Sequence, residues 1–163
     1  MSVGLAAVDR LVQRAGRTSV VLALLATMVL LTLGMLVRIF PVASLAGYDE
    51  VIELLVAWMT FLGAAVLWGE GCLYRVDVLV NRLPPPAARA LALLAHLAAL
   101  LFAGVLTVEG WRVAVLSAET TPFLRFPKSL AYASMPVSGL LMIAYTLVAM
   151  GRSLAGRRPD AAA

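Results

Sequence analysis

Four long stretches of the chain are apolar and almost free of charged residues, and polar segments separate them. They cover about residues 18–39, 51–69, 89–110 and 130–151. At a rise of about 1.5 Å per residue, helices of these lengths are about 30 Å long, which matches the hydrocarbon core of a bilayer. The pattern therefore predicts an all-α integral membrane protein, with residues 1–163 as a single membrane domain containing four transmembrane helices.

The first apolar stretch also resembles a cleavable signal peptide. Basic residues precede it and a small-residue segment follows it, at Arg10, Arg14, Arg17 and residues 44–46. However, the stretch is longer than the roughly 7–15 residues usual for a signal peptide, and Arg38 interrupts it before the candidate cleavage site. We therefore predict a retained helix.

A proline lies inside the fourth stretch. Pro136 cannot donate a backbone hydrogen bond, and its ring clashes with the preceding turn of a helix. It should therefore either open the fourth helix or kink it.

The segment at about residues 72–83, between the second and third stretches, has an amphipathic pattern. Its leucines and valines, except Val78, share one arc at 100° per residue, and Arg75 and Asp77 lie outside that arc. Such a segment can lie in the membrane interface with its basic groups toward lipid headgroups. We predict an interfacial helix that braces the protein, with an ordinary polar turn as the alternative.

The composition supports a membrane protein and excludes other classes. The chain is 63% apolar and only 13% charged, whereas a soluble domain has about a quarter charged residues. Its net charge of +4 is dispersed between apolar stretches, so we expect no nucleic-acid partner. Cys72 is the only cysteine and His96 the only histidine, which excludes an internal disulfide and bis-histidine haem ligation.

The distribution of basic residues predicts the orientation. If there are four spans, nine lysines and arginines lie on the side of the termini and four on the other. Because cytoplasmic segments are enriched in these residues, we predict that both termini are cytoplasmic.

Acidic residues gather where the second helix begins, at Asp49, Glu50 and Glu53. Negative charge there complements the helix dipole, and binding of a coupling cation is the alternative. Near the end of the third helix, Glu109 and Arg112 are three residues apart and should pair.

Catalytic and ligand-binding patterns are missing from the sequence. It contains no nucleophile–base set, phosphate loop or metal-ligand cluster, and very little charge within the predicted spans. We therefore predict a protein that is not an enzyme and has no cofactor, metal site or substrate site of its own.

The order of several short motifs resembles the small membrane subunit, of the DctQ type, of tripartite ATP-independent periplasmic (TRAP) transporters. The resemblance covers roughly residues 15–155. The motifs are Tyr48-Asp49-Glu50-Val51-Ile52-Glu53, Arg75-Val76-Asp77, Leu83-Pro84, Gly110-Trp111-Arg112 and Met135-Pro136-Val137-Ser138-Gly139. The chain departs from the pattern at Cys72-Leu73-Tyr74, where many relatives carry a histidine before the segment that corresponds to Arg75-Val76-Asp77.

The resemblance implies a scaffold subunit in the inner membrane of a bacterium or archaeon. Its implied partners are membrane lipids, a large multi-span permease subunit with the substrate and sodium sites, and a periplasmic binding protein that delivers an organic acid for symport. Candidate residues for docking the binding protein are Asp49, Glu50, Arg112, Glu119, Arg125 and Lys128. Candidate scaffold or interface residues are Glu53, Trp58, Arg75, Asp77 and Pro136.

Three alternatives remain open at this point. Arg125 and Lys128 could anchor at lipid headgroups without contacting a binding protein. Glu53 and Glu109 could serve a self-sufficient, homo-oligomeric ion-coupled transporter. His96 in a four-helix pattern could belong to a membrane redox or lipid enzyme.

Overall fold

The protein is helical throughout most of the described chain. The computed structural model describes residues 3–40, 46–70 and 85–154. Its helices are α1 (Val3–Ile39), α2 (Tyr48–Gly69), α3 (Pro85–Leu116), α4 (Ser129–Tyr132) and α5 (Ser134–Leu154). Within these ranges the only strand-like feature is an isolated antiparallel bridge between Thr120 and Pro127.

Four helical stretches are long and apolar enough to cross a membrane. They are Arg10–Ile39, Tyr48–Gly69, Leu93–Leu116 and Ser129–Gly151. A helix satisfies its own backbone hydrogen bonds, which is the requirement that lipid imposes on a spanning segment. The all-α class with four membrane-crossing helices is thus confirmed. The predicted interfacial helix at residues 72–83 lies outside the described residues.

Two helices begin well before the apolar stretches from which they were predicted. α1 begins at Val3 and α3 at Pro85, whereas the predicted spans begin near residues 18 and 89. An apolar stretch marks the part of a helix that lipid can accommodate, and backbone hydrogen bonding continues beyond it. The residue limits of the spans themselves stay predictions.

Pro136 opens a helix, which was one of the two alternatives for this residue. The fourth apolar stretch consists of the single-turn α4, a break at Ala133, and α5. Pro136 is the third residue of α5, where its missing N–H would have no partner within the helix. The proline therefore interrupts no hydrogen bond of α5.

The helices α2, α3 and α5 pack around a small core. Its buried members are Ala65 of α2, Ala103 of α3 and Met142 of α5. α1 packs against α2, and many of its apolar side chains are exposed, among them Leu22, Leu25 and Met35. Such a surface requires lipid or another membrane protein to cover it.

Small residues allow α3 and α5 to approach each other closely. A Cβ on Gly139 of α5 would collide with the hydroxyl of Thr107 and would lie 3.1 Å from the carbonyl oxygen of Ala103. A Cβ on Gly110 would lie 2.7 Å from the Cβ of Met135. Because lipid provides no hydrophobic drive for helix association, close packing of this kind is what holds the two helices together.

A hydrogen bond links the C-terminal part of α2 to α5. The indole N–H of Trp68 donates to the hydroxyl of Thr146 at 2.9 Å, and that hydroxyl donates to the carbonyl oxygen of Met142 at 2.7 Å. Thr146 is almost completely buried. The bond therefore fixes the rotation of α5 against α2.

Candidate functional site

The loop of residues 117–128, here called the α3–α4 loop, folds back on itself. The N–H of Thr121 donates to the carbonyl oxygen of Phe126 at 2.8 Å, and that of Lys128 donates to the carbonyl oxygen of Glu119 at 3.0 Å. Inside the turn, the hydroxyl of the buried Thr121 accepts from the N–H of Phe126 at 3.0 Å. These bonds give the loop a defined shape.

The carboxylate of Glu50 ties this loop to the first turn of α2. Its Oε1 accepts the N–H of Phe123 at 2.8 Å, and its Oε2 accepts the N–H of Leu124 at 2.9 Å. Hydrogen bonds to an ionised acceptor are stronger than those between neutral groups. We call this pair of bonds the Glu50 latch. It joins elements that are more than 70 residues apart in the chain.

A glycine makes room for the latch. Gly47 has a φ of 88°, in the left-handed region that side chains disfavour. A Cβ at this position would also lie 3.0 Å from the Cβ of Phe123 and 3.1 Å from the Cγ of Leu124. Position 47 therefore requires glycine for two reasons: the backbone conformation that leads into α2, and the close approach of the α3–α4 loop.

An ion pair closes the base of the loop. The Nζ of Lys128 lies 2.9 Å from Oε2 of Glu119. The hydrogen bond and charge of Lys128 lower the pKa of Glu119, and the same contact with Glu119 raises the pKa of Lys128. Both groups are therefore charged at neutral pH.

A small cleft lies between the loop, α4 and the start of α2. Glu50, Glu53 and Lys128 supply its charged groups, and its walls include Thr121 and Phe126. Among the described residues, no three histidine, cysteine, aspartate or glutamate side chains come together as a metal site would require. The cleft therefore contains charged side chains, but no metal-ligand set among the residues that the structure describes.

The six candidate docking residues take different places. Four of them, Glu50, Glu119, Arg125 and Lys128, meet at the loop, and Asp49 is exposed beside them on α2. Arg125 is exposed at a φ of 53°, a conformation that costs an ordinary side chain roughly 1–2 kcal/mol. Arg112 is exposed on α3 and lies 3.4 Å from Glu109, so the expected pairing is confirmed.

Two of the candidate scaffold residues make contacts within the chain. The indole N–H of Trp58 on α2 donates to the carbonyl oxygen of Leu130 on α4 at 3.0 Å. Pro136 is buried against Gly110 of α3. Glu53 is exposed and lines the cleft. Arg75 and Asp77 lie outside the described residues.

The sequence alone did not reveal which groups the candidate residues contact. The sequence around Glu50 does not indicate that backbone amides are its partners, because the amide N–H is the same whatever side chain a residue carries. A contact at the other end of the bundle, between Arg17 of α1 and Glu70 after α2 at 3.4 Å, was also missed. The sequence did contain a weak indication of this contact, since Arg17 and Glu70 flank predicted spans that are adjacent and antiparallel.

Comparison with known proteins identifies relatives. The family model described as "Tripartite ATP-independent periplasmic transporters, DctQ component" matches residues 27–156. The chain is also 32% identical over 120 residues to the "C4-dicarboxylate TRAP transporter small permease protein DctQ" of Rhodobacter capsulatus. That match covers 71% of this chain and 53% of the relative, so the chain spans about half the length of that protein.

Proposed function

The chain belongs to the DctQ family of TRAP transporter components, and from that premise we propose that it is the scaffold subunit of a transporter for organic acids. It is a multi-pass membrane protein of a transport family, with apolar spanning helices. In the proposal, a large permease subunit binds the substrate and the coupling sodium ions, and a periplasmic protein delivers the substrate.

The interior of the bundle is the observation that carries this proposal. Among the described residues, the buried positions are occupied by apolar, threonine and serine side chains, and none by a charged one. A carrier that couples ions to solute needs an ionisable or unwound binding centre near mid-membrane. A subunit that adds area and anchoring to a larger partner does not.

The apolar surface of α1 supports the existence of a membrane partner. This helix packs against α2 and leaves much of its length uncovered. A large permease subunit would cover part of that surface, and lipid the remainder.

We also propose that the end of the bundle with the α3–α4 loop faces the periplasm. The nine-to-four distribution of basic residues supports termini on the cytoplasmic side of an inner membrane. The docking surface for the binding protein would then include the exposed charges of Asp49, Arg112, Glu119 and Arg125, and the half-buried Lys128. Glu50 would contribute by holding the loop in place, because its carboxylate already accepts two amides.

The family and the name of the relative, which refers to C4-dicarboxylates, support a proposal for the substrate class. We propose an organic acid as the substrate, with sodium-coupled symport performed by the large subunit.

Co-purification from native membranes tests the scaffold role. A tagged full-length chain should bring down a hydrophobic protein of about a dozen spans under mild detergent. Recovery of the chain by itself, combined with sodium- or proton-driven uptake by vesicles that contain only this chain, would instead establish the self-sufficient transporter.

Uptake by the assembled transporter tests docking. Reversal of exposed charges at the loop should raise the concentration of binding protein needed for half-maximal uptake, with little change in the maximal rate, because rim charges chiefly affect encounter. Arg125→Glu is the informative variant, and Arg10→Glu, an exposed arginine at the opposite end of the bundle, is its control. Equal effects of the two variants would contradict the docking proposal.

A further inference from the structure

The α3–α4 loop exposes a group of large apolar side chains at its turn. Phe123 is 68% exposed, Leu124 39% and Phe126 50%. We call these three side chains the apolar tip. Water-exposed loops usually consist of small and polar residues, so this tip requires a cover.

The backbone of the same segment has no unsatisfied N–H group. From residue 121 to 128, every N–H is paired within the protein or replaced by a proline ring. Thr121, Arg125 and Lys128 donate to loop carbonyl oxygens, Phe126 donates to the Thr121 hydroxyl, and Phe123 and Leu124 donate to Glu50. Pro122 and Pro127 have no N–H.

Complete pairing of donors matters where water is excluded. A loop in water can donate its amides to solvent, but a non-helical segment that enters the membrane must satisfy them within the protein. The Glu50 latch supplies acceptors for two amides that would otherwise lack them at the turn. The loop therefore carries both an apolar surface and a backbone whose N–H groups are all satisfied, as lipid requires of donors.

The surroundings of the tip favour lipid over a second protein as its cover. Exposed apolar residues flank the loop on both sides, Leu116 at the end of α3 and Leu130 at the start of α4, so the tip continues the apolar surface of the spans. Trp111, exposed near the end of α3, adds an aromatic side chain of the kind enriched at the bilayer interface.

We propose that the apolar tip inserts into the lipid interface and that the Glu50 latch holds it in the inserted form. Phe123 and Phe126 reach about 5–10 Å into the boundary between headgroups and acyl chains, as interfacial apolar residues do. The loop thereby fixes the height of this end of the bundle in the bilayer. This inference requires neither a permease partner nor a binding protein.

Nitroxide labels on single cysteines test the insertion in the full-length chain. Cys72→Ser removes the only native cysteine. Labels at Phe123→Cys and Phe126→Cys are then compared in vesicles of phosphatidylethanolamine and phosphatidylglycerol. Oxygen concentrates in lipid and a nickel chelate stays in water, so relaxation by each reports the depth of the label. Asp49→Cys serves as the aqueous reference, and Leu101→Cys, exposed in the middle of the α3 span, as the hydrocarbon reference.

We expect oxygen to relax both tip labels more than nickel does, at a depth between those of the two references. Labels that match the Asp49 reference would overturn the proposal, because the tip would then lie in water. Labels shielded from both reagents would overturn it too, because a protein contact would then cover the tip.

The latch is tested in the same assay. Adding Glu50→Ala should shift the label at position 123 toward the nickel reagent, while Asp49→Ala, the same truncation one residue away, leaves it where it was. Circular dichroism confirms that the helices of each variant are intact. An unchanged depth in the Glu50→Ala protein would refute the role of the latch.

Discussion

In this protein, a few buried polar side chains strongly influence how the helices are oriented. The core around Ala65, Ala103 and Met142 is small, so a specific hydrogen bond between helices represents a large share of what orients them. The contact of Trp68 with Thr146 is such a bond, and its two residues are 78 positions apart in the chain.

Replacement of Thr146 by valine tests that bond. Valine preserves the shape of threonine but leaves the indole N–H of Trp68 without its acceptor at 2.9 Å. We expect a loss of about 1 kcal/mol in the free energy of unfolding, as for other hydrogen bonds between membrane helices. Unfolding by sodium dodecyl sulfate in mixed micelles provides the measurement.

Thr32→Val is the matched control, because Thr32 is exposed and its hydroxyl donates only to a carbonyl of its own helix, that of Met28. Its free energy of unfolding should change by a few tenths of a kcal/mol at most, as for surface substitutions elsewhere. Equal losses of free energy of unfolding in the two variants would show that the hydrogen bond between Trp68 and Thr146 adds nothing to stability.

At the scale of elements, the packing of α3 on α5 depends on the absence of a side chain. Gly139 approaches the backbone of α3 so closely that a Cβ would meet Thr107 and Ala103. Gly104, on α3 itself, has open space around it. The two glycines therefore allow a direct comparison of a tightly packed and an open position on the same pair of helices.

We predict opposite effects for alanine at these glycines. Gly139→Ala should lower the free energy of unfolding by about 1–3 kcal/mol, because the two helices must move apart to relieve the overlap. Gly104→Ala should be neutral or stabilising by up to about 1 kcal/mol, because alanine favours a helix. The same detergent unfolding assay distinguishes them. A tolerated Gly139→Ala would contradict the close approach of α3 and α5.

The ion pair at the base of the α3–α4 loop makes that element dependent on pH. The lowered pKa of Glu119 means that its contribution is complete above the usual value of 4.5 and is lost as the pH falls through the lowered pKa. The raised pKa of Lys128 means that its contribution is complete below the usual value of 10.5 and is lost as the pH rises through the raised one. The pair is therefore intact throughout the neutral range.

A carbon-13 NMR titration of the Glu119 carboxyl group should give a midpoint below 4.5. Lys128→Met should return that midpoint toward 4.5, because it removes the hydrogen bond and the charge that lower the pKa. Salt should weaken the shift, since the pair is exposed and screened. A midpoint indifferent to Lys128 would mean that the two groups do not interact.

At the scale of the whole molecule, α2, α3 and α5 pack together, and α1 packs beside them against α2. α2 and α5 run parallel, because Trp68 near the end of α2 meets Thr146 near the end of α5, while α1 and α3 run antiparallel to them. The α3–α4 loop and the start of α2 consequently share one end. Arg17 and Glu70 meet at the other.

Reporter fusions test how this arrangement lies across the membrane. Alkaline phosphatase, active only outside the cytoplasm, should be active when fused after Ala118 and inactive when fused after Ala163. The nine basic residues on the side of the termini, against four on the other, are the physical reason. The reverse activities would invert the proposed orientation and, with it, the docking surface.

The sequence by itself determined the number and kind of the spanning elements and the absence of charge from most of their length. It could do so because lipid tolerates little except apolar helices, so composition along the chain nearly dictates local structure. It also predicted contacts between close neighbours, such as Glu109 with Arg112, since three residues of helix set that geometry.

Only the tertiary structure decided which distant groups meet. The Glu50 latch, the bond from Trp58 to Leu130 and the approach of Gly139 to α3 each join residues on separate elements. Two of these contacts use backbone atoms, which every residue possesses, and the third uses an absent side chain. The side chains in a single sequence therefore do not identify such partners. Only the packing of the helices determines which of these groups meet.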